Sequence, residues 1–198
     1  MGTAEEKTSF FTCSDIPDAV PTLFLMNNSD AWKDFERKVA AEFGGRRTPL
    51  SGLNSGHGTS SDVIGIPDWM YVECKRSKQY NKWIEEYRDL LFKSKGSICF
   101  NTPFGYVALF ELKNYISMRG DVPCVDAAKD YSGFKRIPAA LSLLERTIPI
   151  AESEGRSVTL CCFKIHNKQG IYTLAKVDEL AKGDWSQWLR TRDVSKMP

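Results

Sequence analysis

Two short apolar segments, residues 62–66 and 69–75, constrain the fold of this chain most strongly. They are rich in β-branched, aromatic and other apolar residues, and Pro67-Asp68 between them is a dipeptide typical of turns. The pattern predicts a β-hairpin with a two-residue turn. In that register Asp62 lies opposite Glu73. Paired positions hold their Cβ atoms about 5 Å apart, which is close enough for two carboxylates to share one divalent cation.

The turn offers a second aspartate, Asp68, as an alternative to Asp62. Glu73 and Lys75 are two residues apart and therefore lie on one face of their strand. Asp68 is five residues before Glu73, and five residues of extended chain span roughly 16 Å. An aspartate at the turn therefore cannot reach an ion bound by Glu73, and we select Asp62. A different turn type would shift this register by one or two residues.

An amphipathic helix is predicted upstream, at residues 31–43, after the capping residues 27–30 and before Gly44-Gly45. Glu36 projects into the middle of its apolar stripe, which is formed by Trp32, Phe35, Val39, Ala40 and Phe43. A carboxylate that faces a core is costly unless it is paired or bound to a metal ion. Glu36 therefore belongs to a polar site, lies near solvent, or pairs with an arginine.

The rest of the chain mixes helical and strand patterns, which predicts an α/β or α+β protein. Residues 1–28 are interpreted as an N-terminal extension and residues 113–133 as irregular. A second hairpin is expected around residues 167–169. Further helices are predicted at residues 80–93, 137–151, 177–182 and 184–192, and further strands at residues 105–112, 157–164 and 170–174.

Composition favours one soluble intracellular domain. The 198 residues are 42% hydrophobic, and none of their apolar runs approaches the roughly 18 residues that a membrane helix needs. The first residues do not resemble a signal peptide, so we expect a cytoplasmic protein with reduced cysteines. The six cysteines form no C-x-x-C pair and the two histidines are far apart, which argues against a zinc site. A net charge of +2 neither requires nor excludes a nucleic-acid partner.

The order of these features resembles the PD-(D/E)-x-K nucleases, and among them the archaeal and phage Holliday-junction resolvases. The resemblance covers residues 30–78 and, more weakly, 137–180, with Ser61 where the family name has proline. It implies an α/β fold with a restriction-endonuclease-like core, in which a central mixed β-sheet is flanked by helices. It implies a single nuclease domain at residues 29–198 with an insertion at 79–133, after the catalytic hairpin. Alternatively, residues 80–92 are themselves the second core helix.

The resemblance also implies the chemistry of the site. Asp62, Glu73 and the backbone carbonyl of Cys74 would bind Mg²⁺, for which Mn²⁺ can substitute, and Glu36 would contact the metal through water. Lys75 would hold the attacking water or offset charge in the transition state. The four catalytic residues are then Glu36, Asp62, Glu73 and Lys75.

The implied substrate is DNA, in particular the branched duplex of a four-way junction cut by a homodimer. Arg46, Arg47, Ser51 and the amides near Gly52 are candidates for contacts with backbone phosphates, with an exposed basic loop as the alternative. Two other functions stay open: a restriction- or repair-type nuclease that acts on linear duplex, and a non-catalytic DNA-binding protein on the same scaffold.

Overall fold

A six-stranded mixed sheet lies at the centre of the computed structural model, which describes residues 28–49, 60–94, 96–117, 127–165 and 168–191. A separate two-stranded ladder is formed by β1 (Arg46–Arg47) and β2 (Val63–Ile64). The strands of the large sheet are β3 (Met70–Lys75), β4 (Ser97–Thr102), β5 (Gly105–Glu111), β6 (Ala127–Asp130), β7 (Val158–Phe163) and β8 (Tyr172–Lys176). Their order is β3-β7-β8-β5-β4-β6. β3 is parallel to β7 and β4 to β6, whereas the other neighbours are antiparallel.

Helices cover both faces of this sheet. They are α1 (Asn28–Glu42), α2 (Lys78–Lys93), α3 (Leu112–Ser117), α4 (Ala139–Ser153), α5 (Val177–Leu180) and α6 (Trp185–Thr191). Side chains alternate along each strand, so one face packs against α1, α5 and α6 and the other against α2 and α4. The expectation of an α/β protein with a mixed sheet between helices is confirmed. None of the helices in the described ranges is long and apolar enough to span a membrane.

The predicted hairpin of residues 62–75 is wrong as a two-stranded ladder. β2 pairs with β1, β3 pairs with β7, and the turn is closed by Met70 N donating to the carbonyl of Pro67. The physical reason is the apolarity of β3, because Met70, Tyr71, Val72 and Cys74 are all buried. A strand that is buried on both faces belongs in the large sheet, beside another buried strand.

The segment 79–133 contributes α2, β4, β5, α3 and β6, and therefore three of the six central strands. The predicted strand at 105–112 corresponds to β5, but 113–133 is not irregular throughout, since it contains α3 and β6. β4 has no counterpart among the predicted strands. The second hairpin is confirmed by the antiparallel pairing of β7 with β8, and α1 and α4 correspond to predicted helices.

The cysteines differ from the expectation that all are reduced. Cys99 is disulfide-bonded, whereas Cys74, Cys161 and Cys162 are free and buried. That expectation came from the type of N-terminus, which carries no information about whether two particular cysteines lie close together in the fold.

Candidate functional site

Asp62 lies beside the edge strand of the large sheet and hydrogen-bonds to its backbone, as a residue of a neighbouring strand would. β3 is an edge strand, and Asp62 N donates to the carbonyl of Val72 over 2.8 Å. The Ser61 hydroxyl accepts from Val72 N at 3.1 Å, and Oδ2 of Asp62 accepts from Cys74 N at 2.7 Å. Thr48 N donates to the Asp62 carbonyl over 2.9 Å. The carboxylate is thus held in place by the backbone of β3, although β2 and β3 form no regular ladder.

The backbone of Cys74 presents its carbonyl to the same edge. In a strand the N–H and C=O of one residue point to the same side, and the N–H of Cys74 points to Asp62. Its thiol is buried in the core with α1, and burial, followed by the neighbouring Cys162, raises the pKa of Cys74 well above its usual value. The oxygen of Cys74, and not its sulfur, is therefore the atom available to a ligand.

Glu36 is buried on α1 and paired with Arg47. Its side chain is 4% exposed, and Arg47 Nε lies 2.5 Å from Oε2. The Arg47 guanidinium also lies over the ring of Trp32, 5.0 Å from its centre. Burial, followed by the charge of Asp62, raises the pKa of Glu36 to about 7, although Arg47 and Lys75 act in the opposite direction. The charges of Asp62 and Lys75 therefore both act on the Glu36 carboxyl group.

Glu73 and Lys75 form an ion pair on the half-buried end of β3. Burial and the charge of Asp62 raise the pKa of Glu73, while Lys75 lowers it. Burial lowers the pKa of Lys75, but the charge and hydrogen bond of Glu73 outweigh it, so that the net pKa is raised. Lys75 is therefore an ammonium group at neutral pH, suited to donating hydrogen bonds and offsetting negative charge.

These four side chains form one electrostatic group around Asp62, whose charge acts on Glu36, Glu73 and Lys75. In the parts of the chain that the structure describes, no three acidic, histidine or cysteine side chains are grouped closely enough to hold a metal ion together. Two carboxylates and a carbonyl are nevertheless oxygen donors of the kind that Mg²⁺ prefers, and Mg²⁺ retains several waters. Asp62, Glu73 and the Cys74 carbonyl are therefore oxygen donors of a type suited to a mostly hydrated magnesium ion, whereas Glu36 is already paired with Arg47.

The predicted DNA-binding residues divide into two groups. Arg46 is exposed on β1, as a phosphate contact requires. Arg47 is only 19% exposed, and its guanidinium is occupied by Glu36 and Trp32. Ser51 and Gly52 lie outside the described residues. Of the alternatives for Glu36, pairing with an arginine is the one observed. Arg47 therefore has a structural role that the Arg46-Arg47 pair in the sequence did not indicate.

A hydrogen-bonded chain beside the site was not predicted. The Tyr71 hydroxyl lies 2.9 Å from Ser60 Oγ, which donates to Glu154 over 2.6 Å. Burial raises the pKa of Tyr71, and the charge of Glu73 adds to that effect. The spacing of Tyr71 and Glu73 on one strand face was a usable signal, but Glu154 is 94 residues from Ser60. Asp68, which the sequence analysis excluded as a site residue, is exposed and forms a salt bridge with Arg156.

Comparisons of the chain with protein-family models, curated proteins and solved structures gave no match. The functional interpretation therefore depends on the geometry and chemistry of the described residues.

Proposed function

We propose that this protein is a metal-dependent DNA endonuclease with a restriction-endonuclease-like core. The observation that carries the proposal is the position of Asp62, which is bonded to the edge of β3 and is electrostatically coupled to Glu36, Glu73 and Lys75. Buried carboxylates with raised pKa values beside a partly exposed lysine are typical of functional sites.

The order of elements supports such a core. α1, β1, β2 and β3 are followed, after the segment 79–133, by α4 and by β7, which is parallel to β3. An order of helix, three strands, helix and strand is typical of the nucleases that the chain resembles. The arrangement departs from it because β1 and β2 form their own ladder and are not part of the large sheet.

The chemistry follows from what each group can do. Mg²⁺, held by Asp62, Glu73 and the carbonyl of Cys74, would supply a Lewis acid for phosphodiester hydrolysis. Lys75 donates hydrogen bonds to the attacking water or to a phosphate oxygen, and its charge offsets the negative charge that develops there. Glu73 orients Lys75 through their ion pair. Arg47 holds the Glu36 carboxylate in place, where the charges of Asp62 and Lys75 act on it.

The proposed substrate is a four-way DNA junction cut by a homodimer, since symmetric cutting of two strands needs two related sites. The test is to incubate the protein with a labelled junction and a matched linear duplex, in Mg²⁺ or in EDTA. Paired, Mg²⁺-dependent nicks on the junction support a resolvase. Equal cutting of both substrates identifies a restriction- or repair-type nuclease, and absence of cutting in Mg²⁺ and in Mn²⁺ contradicts the nuclease proposal.

A non-catalytic DNA-binding protein is the second candidate, and the ion pairs of the site favour it. Glu36 and Glu73 already have the cationic partners Arg47 and Lys75, which partly neutralise the charges that a metal ion would need. Calorimetric titration with Mn²⁺ separates the two candidates. The nuclease proposal expects binding that is lost when Asp62 and Glu73 are both changed to Ala, whereas the second candidate expects none in either protein.

A further inference from the structure

Three cationic side chains lie close enough to interact electrostatically where β3 and β7 end. Arg76 follows β3 directly and Lys164 follows β7 directly, and the two strands are parallel neighbours in which Lys75 pairs with Phe163. Arg76 and Lys164 therefore leave the sheet side by side. Lys38 comes from α1, which packs on the face of β3 that carries Cys74. We refer to Lys38, Arg76 and Lys164 as the basic cluster.

The members of the basic cluster repel one another. Burial lowers the pKa of Lys164, and the charges of Lys38 and Arg76 lower it further, while Glu111 partly compensates. Lys164 Nζ also donates to the carbonyl of Gly170 over 3.3 Å. Lys38 and Arg76 are exposed, and within the described ranges neither takes part in a salt bridge. This arrangement favours an anionic ligand.

The beginning of α2 adds to the positive potential. This helix of 16 residues starts at Lys78, two residues after Arg76, and its first turn contains no acidic residue. Acidic side chains are favourable at a helix N-terminus because the backbone N–H groups there carry partial positive charge. α2 instead begins with a lysine, so the partial charge of the helix and the basic cluster have the same sign.

We propose that the basic cluster and the first turn of α2 bind the phosphate backbone of duplex DNA beside the candidate site. This inference depends on the proposed function for the identity of the polyanion. Arg76 is the residue after Lys75, so the basic cluster begins directly beyond the candidate site, at the same end of β3. The cluster would place the strand, while Asp62, Glu73 and Lys75 act on one of its phosphates.

The test is the salt dependence of DNA binding, measured in EDTA by fluorescence anisotropy with a labelled linear duplex. The variant Lys38→Gln/Arg76→Gln removes two exposed charges. The matched control Lys129→Gln/Lys182→Gln removes two charges elsewhere, since Lys129 lies on β6 at the far edge of the sheet and Lys182 follows α5. If each cluster residue contacts one phosphate, the slope of log K against log salt becomes shallower by about 1.8, with affinity reduced on the order of tenfold at low salt.

The control should bind like the unaltered protein, and circular dichroism should show that both variants are folded. Equal affinities and slopes for the cluster variant and the unaltered protein would overturn the basic cluster as the DNA contact. Cleavage of the same duplex and of a junction in Mg²⁺ is measured separately. Cleavage with no effect of the cluster variant overturns only this inference, whereas cluster-dependent binding without cleavage overturns only the nuclease activity.

Discussion

At the scale of single residues, Asp62 combines a structural and an electrostatic task. Its carboxylate accepts a hydrogen bond from Cys74 N, and its charge acts on Glu36 and Glu73. Asp62→Ala removes both, whereas Asp62→Asn keeps an acceptor and removes the charge.

We expect both Asp62 variants to lose DNA cleavage, but only Asp62→Ala to lose stability, by about 1–3 kcal/mol, because it leaves a buried N–H without its acceptor. Urea unfolding and a nuclease assay measure the two effects. Equal destabilisation by Asn and Ala would show that the charge, and not the hydrogen bond, stabilises this edge of β3.

Lys75 is the residue whose removal should separate chemistry from binding. We expect Lys75→Ala to reduce cleavage by at least about 100-fold, since an ammonium group that offsets transition-state charge is lost. DNA affinity in EDTA should change little, because other cations contact the backbone. Lys82→Ala, at an exposed position on α2, serves as the control. Cleavage by the Lys75 variant at the normal rate would show that the site is assigned wrongly.

Glu36 should make the stability of the metal-free protein depend on pH. Its pKa is about 7 in the folded protein against 4.5 for an ordinary glutamate, so between these values the folded state binds more protons than the unfolded state. The free energy of unfolding should therefore fall as pH rises through this window. In Glu36→Gln, the decrease in the free energy of unfolding across this window should be smaller by on the order of 2 kcal/mol. Urea unfolding in EDTA across the window measures it, and an unchanged slope would contradict the raised pKa.

At the scale of elements, α1 was largely predictable and its partner was not. The apolar stripe and the glycines that follow indicated the helix, and Gly44 has the positive φ, 69°, that a helix end often requires. The same stripe singled out Glu36. Its partner Arg47 could not be chosen from the sequence, because a metal ion and an arginine both satisfy a buried carboxylate.

Gly45 should be essential for packing the β1–β2 ladder against the end of α1. A Cβ at this position would lie 2.6 Å from the Ile64 carbonyl oxygen and 2.9 Å from Ile66 Cγ2. Backbone cannot yield as a flexible side chain can, so we expect Gly45→Ala to destabilise the fold by about 1–3 kcal/mol. Gly133→Ala, with nothing within 4 Å of the added carbon, should change stability by less than about 0.5 kcal/mol. Chemical denaturation compares the two, and equal midpoints would contradict the close contact.

β3 shows why the candidate site residues were easier to place on one strand face than their surroundings were to predict. Glu73 and Lys75 share a strand face by local periodicity alone. The neighbour of β3 is β7, which lies far along the chain and contributes Cys161 as the partner of Glu73. A run of apolar residues does not specify which distant strand it pairs with. A nearby turn therefore suggested a hairpin ladder, whereas burial on both faces favoured the large sheet.

At the scale of the whole molecule, the segment 79–133 is integral to the sheet. It supplies β4, β5 and β6, and β5 pairs with β8 along five residues. A chain in which a short Gly-Ser linker replaces residues 79–133 should therefore not fold, although an appendage to a complete core could be removed. We expect no cooperative thermal transition and no near-ultraviolet circular dichroism. A cooperative transition in the shortened chain would show that the remaining strands form a core of their own.

Among the described residues, buried free thiols lie on the edge strand β3, at Cys74, and on its neighbour β7, at Cys161 and Cys162. A thiolate reacts and a buried thiol does not, so alkylating reagents can modify these sulfurs only during transient opening of the sheet. The rate of alkylation at each cysteine, measured by peptide mass spectrometry, would therefore report the rate at which β3 and β7 open transiently. It would report how often the part of the sheet that holds Asp62 opens, with no substitution introduced into the protein.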